Sequence, residues 1–291
     1  MAQIPQPTSA MQPVLRALRL PAFGIGTKLA ALILAVIVVL TMLSGWIAPH
    51  DPLSMNPMLR LQDPSAAHPL GTDNFGRDIL SRVLIGGQLS LIIGIATAAV
   101  AVLLGLIIGL IAGFFRTADA IIMRAMDALM AIPSILLAIA LVALNGPSVG
   151  SVIAAITIPE IPRVVRLVRA VILSAREEPY VEAAIALGTS MPKILVRHLV
   201  PNTLAPLIVQ GTYILASAIL TEAILSFLGA GVSTETPTWG NIMAEGRLFF
   251  RIKPELILYP GIALSLCILS INLLGDAARD MLDPRLKKRA G

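Results

Sequence analysis

Five stretches of this chain run for 19 residues or more without a single Asp, Glu, Lys or Arg: 29–50, 83–115, 128–159, 203–221 and 256–275. At a rise of about 1.5 Å per residue, about 20 apolar residues in a helix cross a bilayer core of about 30 Å. Only 13% of the 291 residues are charged, about half the share of an ordinary soluble domain. A spanning β-barrel would instead alternate apolar and polar side chains in segments of about ten residues, a pattern absent from this sequence. The expected class is all-α, a polytopic membrane protein.

Six transmembrane helices are expected. Leu29–His50 is the first anchor, and residues 1–28 form an N-terminal tail whose first 13 positions are polar, Pro-rich and expected to lack order. The tail is long for the n-region of a signal peptide, so the anchor is read as retained. The second helix is placed near 88–114. Asn145-Gly146-Pro147 is a turn signal that splits 128–159 into a third helix ending at Leu144 and a fourth starting near Ser148. The uncharged part of the fourth is too short to cross, so it must continue through Glu160 and Arg163. The fifth covers Thr203–Thr221 and runs on to Leu228; the sixth covers Leu256–Gly275. Residues 51–87 then form an extracytoplasmic loop, 88–275 a core of five helices, and 276–291 a second tail.

Charge bias supports that parity. With both termini inside, cytoplasmic segments hold sixteen of the 22 basic residues, as membrane topology favours. Deleting the fourth span would put Arg163, Arg166, Arg169, Arg176, Lys193 and Arg197 outside, against the rule. The net charge of +5 is thereby accounted for and calls for no nucleic-acid partner. Cys267 is the single cysteine, and His50, His68 and His198 are scattered in sequence without zinc-ligand spacing, so no metal site is expected. No phosphate-cradling P-loop is present, and no Ser/His or Asp/Asp pair falls at matched depth in the spans. No cofactor and no catalytic residue are expected.

The inner segment 177–201 is the most informative. Pro179 suits a first helical turn, and Gly188 suits the left-handed position that ends a helix. Thr189 or Ser190 can cap a second helix with Pro192 in its first turn. That helix sets Ile194, Leu195, Leu199 and Val200 against Lys193 and Arg197, and Pro201 is expected to stop it before the fifth span. Two short helices meeting at a Gly-Thr-Ser elbow make a compact knob, either a docking element or a solvated hairpin.

The spacing Glu182-Ala183-Ala184, three residues, Gly188, nine residues, His198-Leu199-Val200-Pro201 resembles the coupling loop of ABC-importer permeases. HPLGTDNFGRDILSRVLIGGQLSLIIG (68–94), PTWGNIMAEGRLFF (237–250) and NLLGDAARDMLDPRLKKR (272–289) carry the resemblance further, to the dipeptide and oligopeptide permease C branch of the peptide/nickel importers. It covers roughly residues 15–289. The chain departs from the family's pattern at Val200-Pro201, where Leu-Pro is common, and at Ile158–Pro162, where aromatic residues are common. The resemblance implies a multi-pass protein of the bacterial inner membrane with both termini cytoplasmic. It implies a second homologous permease subunit, two cytoplasmic ABC ATPases, and an extracytoplasmic solute-binding protein. The ATPase activity would reside in those separate subunits. Glu182, Ala183, Ala184, Gly188, Pro192, Arg197, His198 and Pro201 would form the ATPase-coupling loop. The different class of function left open is an ATPase-independent secondary transporter or channel.

Other residues admit paired readings. In the outer loop Thr72 or Asp73 can cap a helix over 77–84, with Asp78 and Arg82 an i,i+4 pair; the segment would meet a binding protein or merely pack the loops. Trp239 reads as an interface anchor rather than a ligand contact. Glu222, inside the fifth apolar stretch, would line a substrate pathway, cap a neighbouring helix or pair with an arginine. Asp127 is expected near a helix N-terminus and Glu160 in an ion pair. Arg163, Arg166 and Arg169 would face phospholipid headgroups or an ATPase.

Overall fold

The computed structural model describes residues 24–233 and 235–282; the N-terminal tail through residue 23, the Asp283-Pro284-Arg285 signature and the basic C-terminal residues lie outside them. Among the described residues every regular element is helical, and Thr72 and Asp78 form an isolated bridge. Helix α1 (Ile25–Met42) is followed after Leu43 by the short α2 (Ser44–Ile47). A folded loop leads into α3 (Ile79–Phe114), then α4 (Arg116–Met130), α5 (Ser134–Asn145) and α6 (Val149–Ala175). The knob comprises α7 (Pro179–Ala186) and α8 (Met191–Ile194), and the latter passes through a π-turn at Leu195–Leu199 into α9 (Val200–Phe227). The connection after α9 holds α10 (Trp239–Gly246), and α11 (Glu255–Leu282) ends the described chain.

The bundle is organised around α3 and α6. Gly105, Gly109 and Gly113 recur every fourth residue on α3 and form one small-residue stripe. It receives Val164, Val168 and Ile172 of α6, which recur at the same interval. A Cβ at Gly109 would sit 2.7 Å from the Cβ of Val168, and one at Gly113 equally close to that of Ile172. Removing three side chains lets the backbones approach, which in lipid replaces hydrophobic drive as the source of helix association. The same cluster takes in Leu207 and Ile214 of α9 and, from the knob, Val181 and Ile194.

Several expected boundaries differ. α3 is one helix of 36 residues, about 54 Å long, so the stretch expected as an interfacial lead-in is the first part of the same helix. The expected third span is not one straight helix: α4 and α5 meet at 89° across Ala131-Ile132-Pro133. Pro133 lacks an N–H and disfavours the α region at the residue before it, and here the helix breaks. α5, at 12 residues or about 18 Å, cannot cross alone. By contrast α6 runs unbroken through Pro159 and Pro162 and through Glu160 and Arg163, as the fourth span required. Pro201 does not stop the second knob helix. The π-turn just before it widens the spiral where the proline lacks its donor, and the helix continues to Phe227.

By length and composition, 25–42, 79–114, 191–227 and 255–282 can each cross a membrane, and the bent α4–α5 pair adds a fifth. α6, about 40 Å long, has the length, but its charged residues set it apart in composition. Length and composition therefore mark four or five spans where six were expected.

Candidate functional site: the knob, the cleft and the outer clasp

At the knob, α7 ends as its sequence requires. Gly188 adopts φ +73°; its N–H donates to the Ile185 carbonyl, and the Thr189 N–H donates to that of Ala184. This pair of bonds is the Schellman arrangement, which satisfies carbonyls left over at a helix end. Nothing lies within 4 Å of where a Gly188 Cβ would be, so glycine is needed for backbone conformation and not for space. Ser190 takes the N-cap position of α8, with Pro192 in its first turn.

The base of the knob is buried: Val181, Ala184, Ile194 and Leu199 are each at most 8% exposed. Glu182, Ala183, Pro192, Lys193, Arg197 and Pro201 are exposed and His198 half-buried. Asn202 ties the two arms together, its amide donating to the Tyr180 hydroxyl at 3.0 Å and to the His198 carbonyl at 2.7 Å. The tip is the part that sequence reading missed. Leu187 is 85% exposed, and Ile185 and Met191 at least 40%. The sequence signal was an apolar residue immediately before the helix-ending glycine, with no apolar partner to meet. A cavity of about 530 Å³ opens beside the knob, lined by Ser174, Glu178, Tyr180 and Asn202 among others.

A second feature is a polar cleft of about 110 Å³ between α5, α6 and α9, lined by Ser134, Glu160, Arg163, Tyr213, Ser217 and Thr221 among others. Arg163 donates to both carboxylate oxygens of Glu160, at 3.0 and 3.1 Å, so the expected pairing of Glu160 is present. The other two arginines differ from expectation. Arg166 reaches Asp127 at 2.6 Å, and Arg169 bonds both oxygens of Asp119, which fastens α6 to the amphipathic α4. Asp127 consequently lies near the C-terminal end of α4, not at a helix N-terminus, because the chain bends at Pro133 instead of opening a new helix at Ala128.

Glu222 does not face the cleft. It is fully buried, accepting from Ser226 at 2.8 Å and from Ser90 of α3 at 3.2 Å. One step along a helix turns the side chain by about 100°, so Thr221 and Ser217 line the cleft while Glu222 and Ser226 point into the packing. Its carboxylate joins α9 to Ser90 of α3. Trp239 is likewise no interface anchor: it is 1% exposed and donates from Nε1 to the Val83 carbonyl at 3.0 Å. Trp46, 92% exposed, is the tryptophan free to meet the bilayer boundary.

The third feature is a clasp of charged residues at the start of α3. Asp78, not Thr72 or Asp73, caps α3, accepting from the Ser81 N–H at 2.8 Å. Asp73 takes Arg77 Nε at 2.7 Å and Arg82 at 3.0 Å, so Arg82 does not pair with Asp78. Glu245 of α10 closes the box against Arg77 and lies 3.1 Å from Arg82. Two arginines and two acids, nearly all buried, thus clamp the 51–78 loop to α10. Burial pushes the Glu245 carboxyl up to about 7, against the attraction of Arg77 and with a small push from Asp73. A carboxyl raised on folding binds its proton better in the folded state. Stability is then greatest below about 4.5 and declines as pH rises through about 7, by at most about 1.4 kcal/mol per pH unit. Glu245→Gln should flatten the fall in thermal unfolding midpoint that the wild type shows between pH 5 and pH 8.

The family described as binding-protein-dependent transport system inner membrane component matches residues 101–288. A probable peptide ABC transporter permease protein of Sinorhizobium fredii is 50% identical over 82% of this chain and 82% of its own length. A putative peptide transport system permease protein of Brucella suis biovar 1 is 44% identical over 99% of both chains. A dipeptide transport system permease protein of Alkalihalophilus pseudofirmus is 42% identical over 80% of this chain and 77% of its own.

Proposed function

The chain belongs to the family of binding-protein-dependent transport system inner membrane components, and from that premise we propose that it is the permease subunit of an ATP-driven importer of di- or oligopeptides, or of a related solute such as nickel. In this reading six spans cross the inner membrane with both termini cytoplasmic, and a second homologous permease completes the translocation path. Two ATPases bind from the cytoplasm and a solute-binding protein delivers cargo from outside.

One observation carries the proposal: the knob buries its base in the bundle core and exposes an apolar tip at Leu187, Ile185 and Met191. A merely solvated hairpin would turn such residues inward. An exposed leucine on an element that also exposes Glu182, Lys193 and Arg197 instead suits a groove on another protein, where one central apolar anchor accounts for much of the binding energy.

The coupling follows from packing. ATP binding favours the closed ATPase pair, and differential affinity for the two states shifts the permease between inward- and outward-open forms. Displacement of the knob passes through Val181 and Ile194 to Ile172 and Val168 of α6, and from there to the glycine stripe of α3. The polar cleft beside Glu160 and Arg163 lies on the same helix, so motion of α6 alters the face offered to cargo. Those two side chains carry the opposite charges that a peptide's termini would seek.

Leu187→Asp tests this. Co-purification with the ATPases should fall about 30-fold, corresponding to about 2 kcal/mol, and peptide uptake with it, at unchanged membrane abundance. Undiminished co-purification and uptake would remove the coupling role. Uptake persisting after deletion of the ATPase genes would instead favour the self-contained transporter.

A further inference from the structure

His50 and His68 are 18 positions apart in sequence, yet the fold stacks their rings, with centroids 4.4 Å apart and planes 27° from parallel. Both present Nδ1 to one oxygen of Asp78, His68 at 3.0 Å and His50 at 3.9 Å. The three ligand atoms lie within 4.8 Å of one another. We propose that His50, His68 and Asp78 form a binding site for a divalent first-row transition cation of zinc's class on the outer face of the protein.

Geometry is the first argument. Two ligand atoms each about 2.0–2.1 Å from a tetrahedral cation stand about 3.3 Å apart. The two separations from Asp78 Oδ1, 3.0 and 3.9 Å, straddle that value, and the third is bounded by 4.8 Å, so the exposed His50 ring must move inward to complete the site. Charge is the second. The Asp78 side chain is fully buried, and no Lys or Arg among the described residues lies within ion-pair distance of it. The neighbouring Arg77 and Arg82 are committed to Asp73 and Glu245. A buried carboxylate facing two imidazoles and no fixed cation favours a bound positive charge.

The surroundings hold the ligands in place. Oδ2 of Asp78 accepts from the N–H and hydroxyl of Ser81, leaving Oδ1 for the histidines. The backbone N–H of His50 donates to the same Ser81 hydroxyl, and the backbone N–H of His68 donates to that of Ser65. These bonds fix the backbone at both histidines. His50 is 41% exposed, which gives a cation access from outside and leaves room for water as a fourth ligand. Two imidazoles and one carboxylate select zinc and its neighbours over magnesium or calcium, which prefer all-oxygen shells. The cation would join the end of α2, the middle of the outer loop and the start of α3.

The test uses the full chain, purified, freed of any tag and stripped with chelator. Titration with Zn²⁺ against a competing chromophoric chelator should show one site per chain and a raised unfolding midpoint, with no comparable effect from Mg²⁺ or Ca²⁺. Co²⁺ should give the visible absorption of a low-coordinate nitrogen–oxygen site. His50→Gln and His68→Ala should each weaken binding at least about 100-fold, while His198→Ala, which alters the remaining histidine, should leave it unchanged. His50→Gln alters an exposed side chain, so its metal-free midpoint should match the wild type and keep the comparison valid should His68→Ala misfold. Absent saturable Zn²⁺ binding, or binding equally strong in His50→Gln, would overturn the site and leave His68–Asp78 as a brace for the loop.

Discussion

Gly109→Leu should abolish the folded permease. The expected result is loss of the thermal transition of the purified chain, or a destabilisation of at least about 3 kcal/mol where some material survives, with membrane abundance reduced accordingly. The first added atom already fails: a Cβ at 109 would lie 2.7 Å from that of Val168 and 3.0 Å from the Val165 carbonyl oxygen. Those are backbone and branched side-chain atoms on α6, so relief requires the two longest-packed helices to separate. Separation would break the contacts of Gly105 and Gly113 as well, because the three glycines form one stripe. Gly211→Ala is the control. Its Cβ would meet only Val102 Cγ2, at 3.7 Å, an ordinary contact, and it should be neutral within about 0.5 kcal/mol. A Gly109→Leu chain with the wild-type midpoint would mean that α3 and α6 do not pack at this register.

The contrast between these two glycines shows what the sequence could convey. Charge-free runs fix where helices are long and apolar, so α1, α3, α9 and α11 are legible at once. The elbow at Gly188 is equally local, since φ preference and helix-end hydrogen bonds depend on a few consecutive residues. The bend at Pro133 also had a local cause, but the apolar run around it is continuous and masked the break. Pro201 misled in the other direction: proline was read as a stop, while a π-turn that no pattern announces lets the helix through. Partner identity was the least legible. Arg166 and Arg169 reach Asp127 and Asp119, 39 and 50 positions earlier, and Asp73, Arg77, Arg82 and Glu245 meet only because α10 folds over the start of α3. His50 and His68 looked scattered for the same reason. Long-range pairing is a property of the packed bundle, not of spacing along the chain.

Gly188→Val should uncouple the permease while leaving it in the membrane. The substitution meets no neighbour, since nothing lies within 4 Å of the added Cβ, so its entire effect comes from φ +73°. An ordinary residue pays about 1–2 kcal/mol to hold that conformation, and a β-branched one more. The knob can avoid this by unwinding the Gly188–Ile185 and Thr189–Ala184 bonds, which swings Leu187 away from its present position. Because Val181 and Ile194 anchor the base independently, the bundle keeps its stability and only the tip is misplaced. Peptide uptake should therefore fall at least about 10-fold with unchanged membrane abundance and unfolding midpoint. Gly188→Asn separates conformation from bulk: asparagine tolerates the left-handed region, so it should recover most of the uptake that valine loses. If valine and asparagine are equally impaired, side-chain volume at the docking surface is responsible, not the backbone. If the valine form transports fully and retains its ATPases, the tip takes no part in transmitting force.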